Sequence, residues 1–539
     1  VPDRPTLAPP ASQTQSGRFW FDAALVFLVF FVAGGDPSPG VNEPHYLCRL
    51  RHFWDPSYCP GDLFLDSPDA HFTVVWLFGW VTQFLSLEAT AWLGRVLSWA
   101  LIAAGWTRLV QRVTPTLFLA PLGAALVVVG TQQLHFAGEW LIGGFEAKTL
   151  AYGFVLFALA DAIDGRWNRA WVLLGVASAF HALVGGWSVV ALGAAGLACR
   201  QLPPLRSMLL SLLAGGFIGL AGVVPALLLN VGTPPEIVSE ANETYVFVRL
   251  SHHLAPLTKD WDWLANRGGR HLLMVAILAV LHALQVRRDR PGLRLVTYFA
   301  WAAEAISLTG LLIELSMWNH PAWAASLLKY YWFRLADIAA PVAVSLIAVQ
   351  WIGEALAERR RSVALAAVAL AALCGWHIGG IVIERSRYPV PASDAAMVDP
   401  AAWIEMCDWV RENTPADAVF LVPQRSQSFK WRAERGEVVT YKDVPQDARS
   451  MVEWRRRYFD VFQTGTAPDG YTEWTPSLAA LGAERLRELG EKYGASYALS
   501  EAPRGDIESG RADRRRASLP VVHRVGPYTL YALAVDEKP

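Results

Sequence analysis

The sequence is short of charge and of every motif that binds a nucleotide. Only 18% of its 539 residues are Asp, Glu, Lys or Arg, and these nearly cancel, at a formal net charge of −1. That balance provides no basic footprint, so nucleic acid is not an expected partner. There is no P-loop, no GxGxxG, no GxSxG with Ser/His/Asp partners and no HExxH, which removes the usual signatures of nucleotide, triad and zincin chemistry. The five cysteines are scattered without a CxxC, which argues against a zinc site. Only Cys48 and Cys59 share a loop. They either form a disulfide, if that loop faces an oxidising compartment, or remain two thiols in a Trp-rich segment. The chain opens without a cleavable signal pattern: residues 1–18, VPDRPTLAPPASQTQSGR, are rich in Pro, Ser and Gln and are expected to be disordered.

What the chain has in excess is apolar length. It is 53% hydrophobic, with a mean hydropathy of +0.27, and its apolar runs approach the roughly 20 residues a bilayer span needs. The spans are Phe19–Gly34, Ala91–Leu109, Leu117–Val129, Leu150–Ala162, Ala170–Cys199, Met208–Leu229, His271–Leu284, Leu295–Leu315, Trp332–Ile352 and Val363–Ile383. Arg-rich cytoplasmic loops orient such a bundle. Placing Arg108/Arg112, Arg166/Arg169, Arg200/Arg206, Arg287/Arg288/Arg290/Arg294 and Arg359/Arg360/Arg361 all inside requires two things. Phe72–Leu87 lies on the outer surface without crossing, and Ala170–Cys199 is a hairpin of two short helices with His181 at its outer tip. The fold predicted is mostly α: a polytopic helical membrane protein of about eleven spans, residues 19–384, with a cytoplasmic N-terminus. From Arg385 charges become dense, and 385–539 reads as a soluble, extracytoplasmic α/β domain of alternating helices and strands.

This topology sends the polar residues to one side. The outer loop 36–71 follows directly on the first span and contains VNEPHYLCRLRHFWDPSYCPGDLFLDSPDAH (Val41–His71). In it, Glu43 is placed to act as a general base with His45 nearby, or is a solvated loop acid. Asp62, Asp66 and Asp69 could ligate a divalent metal such as Mg or Mn through hard oxygens. No Asp-x-Asp pair occurs, though, and loop solubility explains them more simply. His135, Glu139, Glu146 and Lys148 form a second group. Glu146 and Lys148 stand in the apolar helix start GGFEAKTLAYGF, where ionisable groups are expensive and face a cavity or a partner. Arg249, followed by His252 and His253, suits a phosphate, which Arg grips with its planar fork; a merely capped helix start is the second reading. Lys329 and Arg334 bracket an aromatic girdle and either bind substrate or snorkel at the interface.

The layout resembles the GT-C superfamily of membrane glycosyltransferases: a multi-span core, an acidic first outer loop directly after the first span, and a C-terminal domain on the same side. The pattern Trp403…Asn413-Thr414-Pro415…Phe420-Leu421-Val422-Pro423…Lys442-Asp443…Trp454-Arg455 is similar to C-terminal domains of bacterial membrane proteins of this type. The resemblance implies a multi-pass protein of the bacterial inner membrane that moves a sugar from a polyprenyl-phosphate donor to a glycan, lipid or protein acceptor, with inversion. Glu43 would then deprotonate the acceptor, and Lys148, Arg249, His252, His253 and Arg334 would hold the leaving phosphate. The superfamily's usual acidic pair is not clean here. The competing classes are a transporter, in which the charges and the hairpin at His181 line a substrate path, and a non-catalytic scaffold.

Overall fold

The computed structural model describes residues 13–285, 290–467, 471–503, 505 and 517–533. The chain is a polytopic helical membrane protein with a strand-containing C-terminal region. Residues 1–12 of the N-terminus expected to be disordered lie outside the described residues, as do Arg287 and Arg288. The remainder of that segment corrects the expectation, because the first helix already begins at Gln13.

Every expected span is a helix: Gln13–Gly34, Leu87–Val110, Leu119–Gln133, Ala147–Ile163, Trp167–Phe180, Ala182–Ala198, Leu205–Leu228, Trp261–Gln285, Pro291–Ser316, Ala336–Ala357 and Arg361–Arg387. Among the described residues, six helices are long and apolar enough to cross a membrane. Others are shorter, or carry charge within their length as Leu87–Val110 does at Glu88, Arg95 and Arg108. The Ala170–Cys199 run is broken at His181, whose extended backbone (φ −148°, ψ 100°) ends one helix. The same imidazole accepts from Val184 N at 3.3 Å and caps the next. Phe72–Leu87 divides into the short helix Phe72–Phe78 and a 3-10 turn at Gly79–Gln83, with Trp76, Trp80 and Phe84 exposed. Such aromatics suit the bilayer–water boundary.

Small residues let parts of the bundle close to backbone contact. A Cβ on Gly175 would stand 2.2 Å from Gly215 O, and one on Gly222 2.2 Å from Ser178 O. Helices Trp167–Phe180 and Leu205–Leu228 therefore touch main chain to main chain, while Leu210 and Phe217 on the far side are left exposed. Deep in the bundle, Trp99 and Trp106 are fully buried and donate to Gly143 O (3.1 Å) and Ala120 O (2.8 Å); an unpaired indole N–H there would be costly. At one end Arg108, Arg166 and Arg169 gather on Asp161, and Arg112 pairs with Asp164 at 2.7 Å.

The C-terminal region holds strands β1 (Val419–Leu421), β2 (Gly436–Glu437), β3 (Gln463–Thr466), β4 (Thr472–Trp474), β5 (Tyr497–Glu501), β6 (Val521–Val525) and β7 (Tyr528–Ala532). Five make one mixed sheet in the order β2-β1-β5-β7-β6, with β1 parallel to β2 and β5, and β7 antiparallel to β5 and β6. Helices Pro400–Asn413, Ala448–Phe462 and Ala483–Tyr493 pack with it. The first two start at Asp399 and Asp447, whose carboxylates accept from the opening backbone N–H groups, the usual means of satisfying a helix start. β3 and β4 form a separate antiparallel pair.

Candidate functional site

Loop 36–71 is more ordered than its polarity suggests. Glu43–Trp54 is a helix with Pro44 in its first turn, followed by the single turn Leu63–Asp66. The expected acid–base pair of Glu43 and His45 is not formed. Glu43 is fully buried and faces Arg95, which donates to Oε1 from Nε and to Oε2 from Nη2, both at 2.6 Å. Gly40 N (2.6 Å), Phe145 N (2.9 Å) and Ser38 Oγ (3.3 Å) also donate to this carboxylate. A fork-to-fork pair with further backbone donors occupies both carboxylate oxygens and fixes the side chain in place. Glu43 anchors the loop to helix Leu87–Val110 and to the Gly143-Gly144-Phe145 turn.

His45 looks the other way, towards Asp443 Oδ1 at 2.9 Å. It joins a buried network centred on Lys430, whose Nζ lies 2.6 Å from Asp443 Oδ2, 2.6 Å from Glu437 Oε1 and 3.2 Å from Asp62 Oδ2. Burial raises Glu437. Burial would raise Asp443 too, but Lys430 and His45 hold it well below the ordinary carboxylate range. This network ties loop 36–71 to the C-terminal region. It also corrects the metal expectation: Asp62 is spent on Lys430 and on capping Leu65 N (3.0 Å), and Asp66 faces His52 Nε2 at 3.1 Å. Asp69 meets His71. The three acids are not brought together, and no group of three or more His, Cys, Asp or Glu among the described residues could hold a metal. Cys48 and Cys59 are free and buried rather than bonded. Tyr58 packs between them, donating to Lys430 O at 2.5 Å, and burial pushes the Cys48 thiol up to about 12.

The residues that do converge lie between the end of the bundle and the C-terminal region. Lys148 Nζ stands 3.5 Å from Glu139 and 3.3 Å from Glu146, over the Trp140 ring at 4.1 Å. Arg334 reaches Glu139 Oε2 at 3.0 Å and His181 Nε2 at 2.8 Å, and its guanidinium covers Tyr331 at 3.9 Å. Asn42 donates to Glu146 Oε1 at 2.5 Å. Arg249 covers Tyr441 at 4.4 Å and donates to Lys442 O at 3.2 Å. The His252 and His253 rings are 4.0 Å apart, and His253 bonds Ala137 O. Burial, then Arg249 and Lys259, push His252 down to about 4. Lys442 is pushed down to about 8 by burial first and then by Arg249, with Glu146 and Lys148 also within electrostatic reach. His71 lies 6.2 Å from His181, ring to ring. Two expected members stand apart: His135 bonds back to Thr131 O at 2.8 Å, and Lys329 to Asn242 Oδ1 at 3.2 Å.

Three features of this region are not singled out as functional by the sequence alone. Asp337 holds the Glu139 turn by accepting from Phe136 N (2.6 Å), Ala137 N (2.9 Å) and Glu139 N (3.1 Å). Lys442 completes the cationic set, and Arg95 answers Glu43. Arg95 had a legible signal, since an Arg inside an apolar span demands a named partner.

Comparisons place this architecture beside known proteins. The model of the domain of unknown function DUF6798 matches residues 401–461. No curated protein matches the chain. Among solved structures, it is similar to ArnT from Cupriavidus metallidurans in the apo state, at 15% identity and a TM-score of 0.48, covering 97% of this chain and 99% of that one. It is also similar to the Archaeoglobus fulgidus oligosaccharyltransferase in complex with Zn and sulfate, at 12% identity and a TM-score of 0.46, covering 93% and 69%. A third is the archaeal oligosaccharyltransferase AglB from Archaeoglobus fulgidus with an inhibitory peptide and a dolichol-phosphate, at 13% identity and a TM-score of 0.44, covering 92% and 70%.

Proposed function

We propose that the chain is a GT-C-like membrane glycosyltransferase that takes a sugar from a polyprenyl-phosphate donor and passes it to an acceptor at the outer face of the bacterial inner membrane. The observation that carries this reading is the cationic cluster. Lys148 pairs with Glu139 and Glu146, Arg334 pairs with Glu139, and Lys442 lies within electrostatic reach of Arg249, Glu146, Asp443 and Lys148, so cations from four separate stretches of chain gather here. Several cations gathered from distant parts of the chain in a poorly hydrated place suit a phosphate ester. In the transfer, the acceptor oxygen attacks the anomeric carbon, the bond from that carbon to the phosphate oxygen breaks, and the electron pair leaves on the polyprenyl phosphate. The cations stabilise the charge that develops there.

Glu43 is the anchor of the loop in this scheme and not its base. The acid placed to take the acceptor proton is Asp69, whose Oδ1 is held by His71 Nδ1 at 3.0 Å and whose Oδ2 points elsewhere. Burial would raise Asp69, but His71 and Arg49 hold it below the ordinary carboxylate range, so it stands ionised at neutral pH. The test is binding of a polyprenyl phosphate to the purified protein in nanodiscs. Saturable binding that weakens in Lys148→Ala and Arg334→Ala supports the reading. Absence of binding by the wild type removes it in favour of the transporter.

A further inference from the structure

A cavity of about 330 Å³ opens beside Asp69 and is lined by Arg49, His52, Phe53, Asp69 and Phe72 among others. Asp69 and Val75 also line a second, much smaller void with Tyr46, His71 and Glu146. Asp69 is therefore the partition between the open cavity and the buried polar cluster.

The cavity's inner wall has unspent hydrogen-bonding capacity of a particular kind. Arg49 is 6% exposed and commits its Nη atoms to Ser67 O at 2.6 Å and to Phe64 O. Its Nε has no hydrogen-bond partner among the described residues. Asp69 Oδ2 stands 3.8 Å from it, too far for a bond. A buried donor and a part-buried acceptor thus face each other across a gap. A hydroxyl is the group that satisfies both, accepting from Arg49 and donating to Asp69. The lining is also aromatic, with Phe53 and Phe72. Phe53 and Phe72 lie 5.8 and 5.6 Å from Trp76, all three about half exposed, beside the exposed Trp80 and Phe84 of the interfacial segment.

We infer that this cavity is the seat of a hydroxyl-bearing sugar ring on a membrane-borne head group, which would make the acceptor of the proposed transfer a glycolipid. The volume falls within the roughly 300–1,000 Å³ range of small-ligand pockets. The flat apolar face of a pyranose packs on Phe53 and Phe72, one ring hydroxyl bridges Arg49 and Asp69, and the aromatics beside the cavity place it at the level of lipid head groups. The inference rests on the transferase reading for the word acceptor, but the seat itself is argued from the cavity alone.

Saturation-transfer NMR with a panel of methyl glycosides on the full chain in nanodiscs tests it. Saturation should reach ring protons of at least one glycoside. In Phe53→Ala/Phe72→Ala, whose side chains are half exposed and carry little of the fold, affinity for it should fall at least fivefold, with polyprenyl-phosphate binding unchanged. Asp69→Asn should weaken it as well, while Arg334→Ala should leave it intact. Saturation reaching no ring proton in the wild type, or an equal signal in the double variant, overturns the proposal and leaves the aromatic wall as a lipid contact. Glycoside binding without polyprenyl-phosphate binding supports the seat while removing the transferase reading, so the two failures are distinct.

Discussion

Glu43 and Glu139 are both buried carboxylates facing an Arg, and they are held in opposite ways. Every direction around Glu43 is filled: Arg95 takes both oxygens at 2.6 Å, and Gly40, Phe145 and Ser38 take what remains. Glu139 Oε1 has no hydrogen-bond partner among the described residues, and Arg334 Nε approaches Oε2 at 3.0 Å without the alignment of a hydrogen bond. A saturated buried pair has its desolvation offset by geometry and holds a fold together. An unsaturated one carries a standing penalty that a ligand can relieve. The first carboxylate joins a loop to a helix; the second sits beside Lys148 and Arg334 in the polar cluster.

The largest effect should come from breaking the saturated side. Arg95→Ala strands the Glu43 charge in a dry site, at a cost of about 3–5 kcal/mol. Thermal unfolding in detergent should show a large loss for this variant, and an unchanged melting temperature would refute the anchoring role. On the unsaturated side, Arg334→Ala should weaken polyprenyl-phosphate binding by roughly 10–100-fold, about 1.4–2.8 kcal/mol, with a smaller loss of melting temperature than Arg95→Ala.

A pH titration sharpens the comparison further. Lys442 is pushed down to about 8 by burial and by Arg249. It is charged below that pH and neutral above it, so donor affinity should decline as pH rises from 7 to 9. Lys442→Arg, which stays charged, should flatten that decline. An identical slope in both proteins would show that Lys442 does not face the donor. The smallest effect concerns the thiols. Cys48 and Cys59 should resist alkylation in the folded protein, where burial raises both, and both should label in the unreduced, denatured chain. Protection after denaturation would mean a disulfide after all.

How much of this was legible in the sequence depends on how far the physics reaches along the chain. The hairpin at His181 could be read because one local break and the Arg-rich ends leave a single consistent arrangement. Helix Pro400–Asn413 and strands β1, β5, β6 and β7 are carried by local periodicity and caps. The role of Glu43 was not legible, because its partner Arg95 is 52 positions away inside an apolar helix. The partners of His45 and Asp62 were further still, since His45 meets Asp443 at a separation of 398 and Asp62 meets Lys430 across the interface with the C-terminal region. Sequence reasoning assembled Glu139, Glu146, Lys148, His181, Arg249 and Arg334 by sorting ionisable groups to one side of a bundle. That same sorting could not separate a filled ion pair from an unfilled one, since both begin as an acid beside an apolar run.

The most direct test of the distinction is the shift in melting temperature that a saturating polyprenyl phosphate produces in three proteins: wild type, Glu43→Gln and Arg334→Ala. A ligand present at 100 times its dissociation constant stabilises the folded state by about 2.7 kcal/mol, enough to read. The account predicts a clear upward shift in the wild type. Glu43→Gln should start from a lower melting temperature yet show a comparable shift, and Arg334→Ala should start nearer the wild type and show little shift or none. An Arg334→Ala protein stabilised as fully as the wild type, or a Glu43→Gln protein that melts normally but no longer responds, would contradict it.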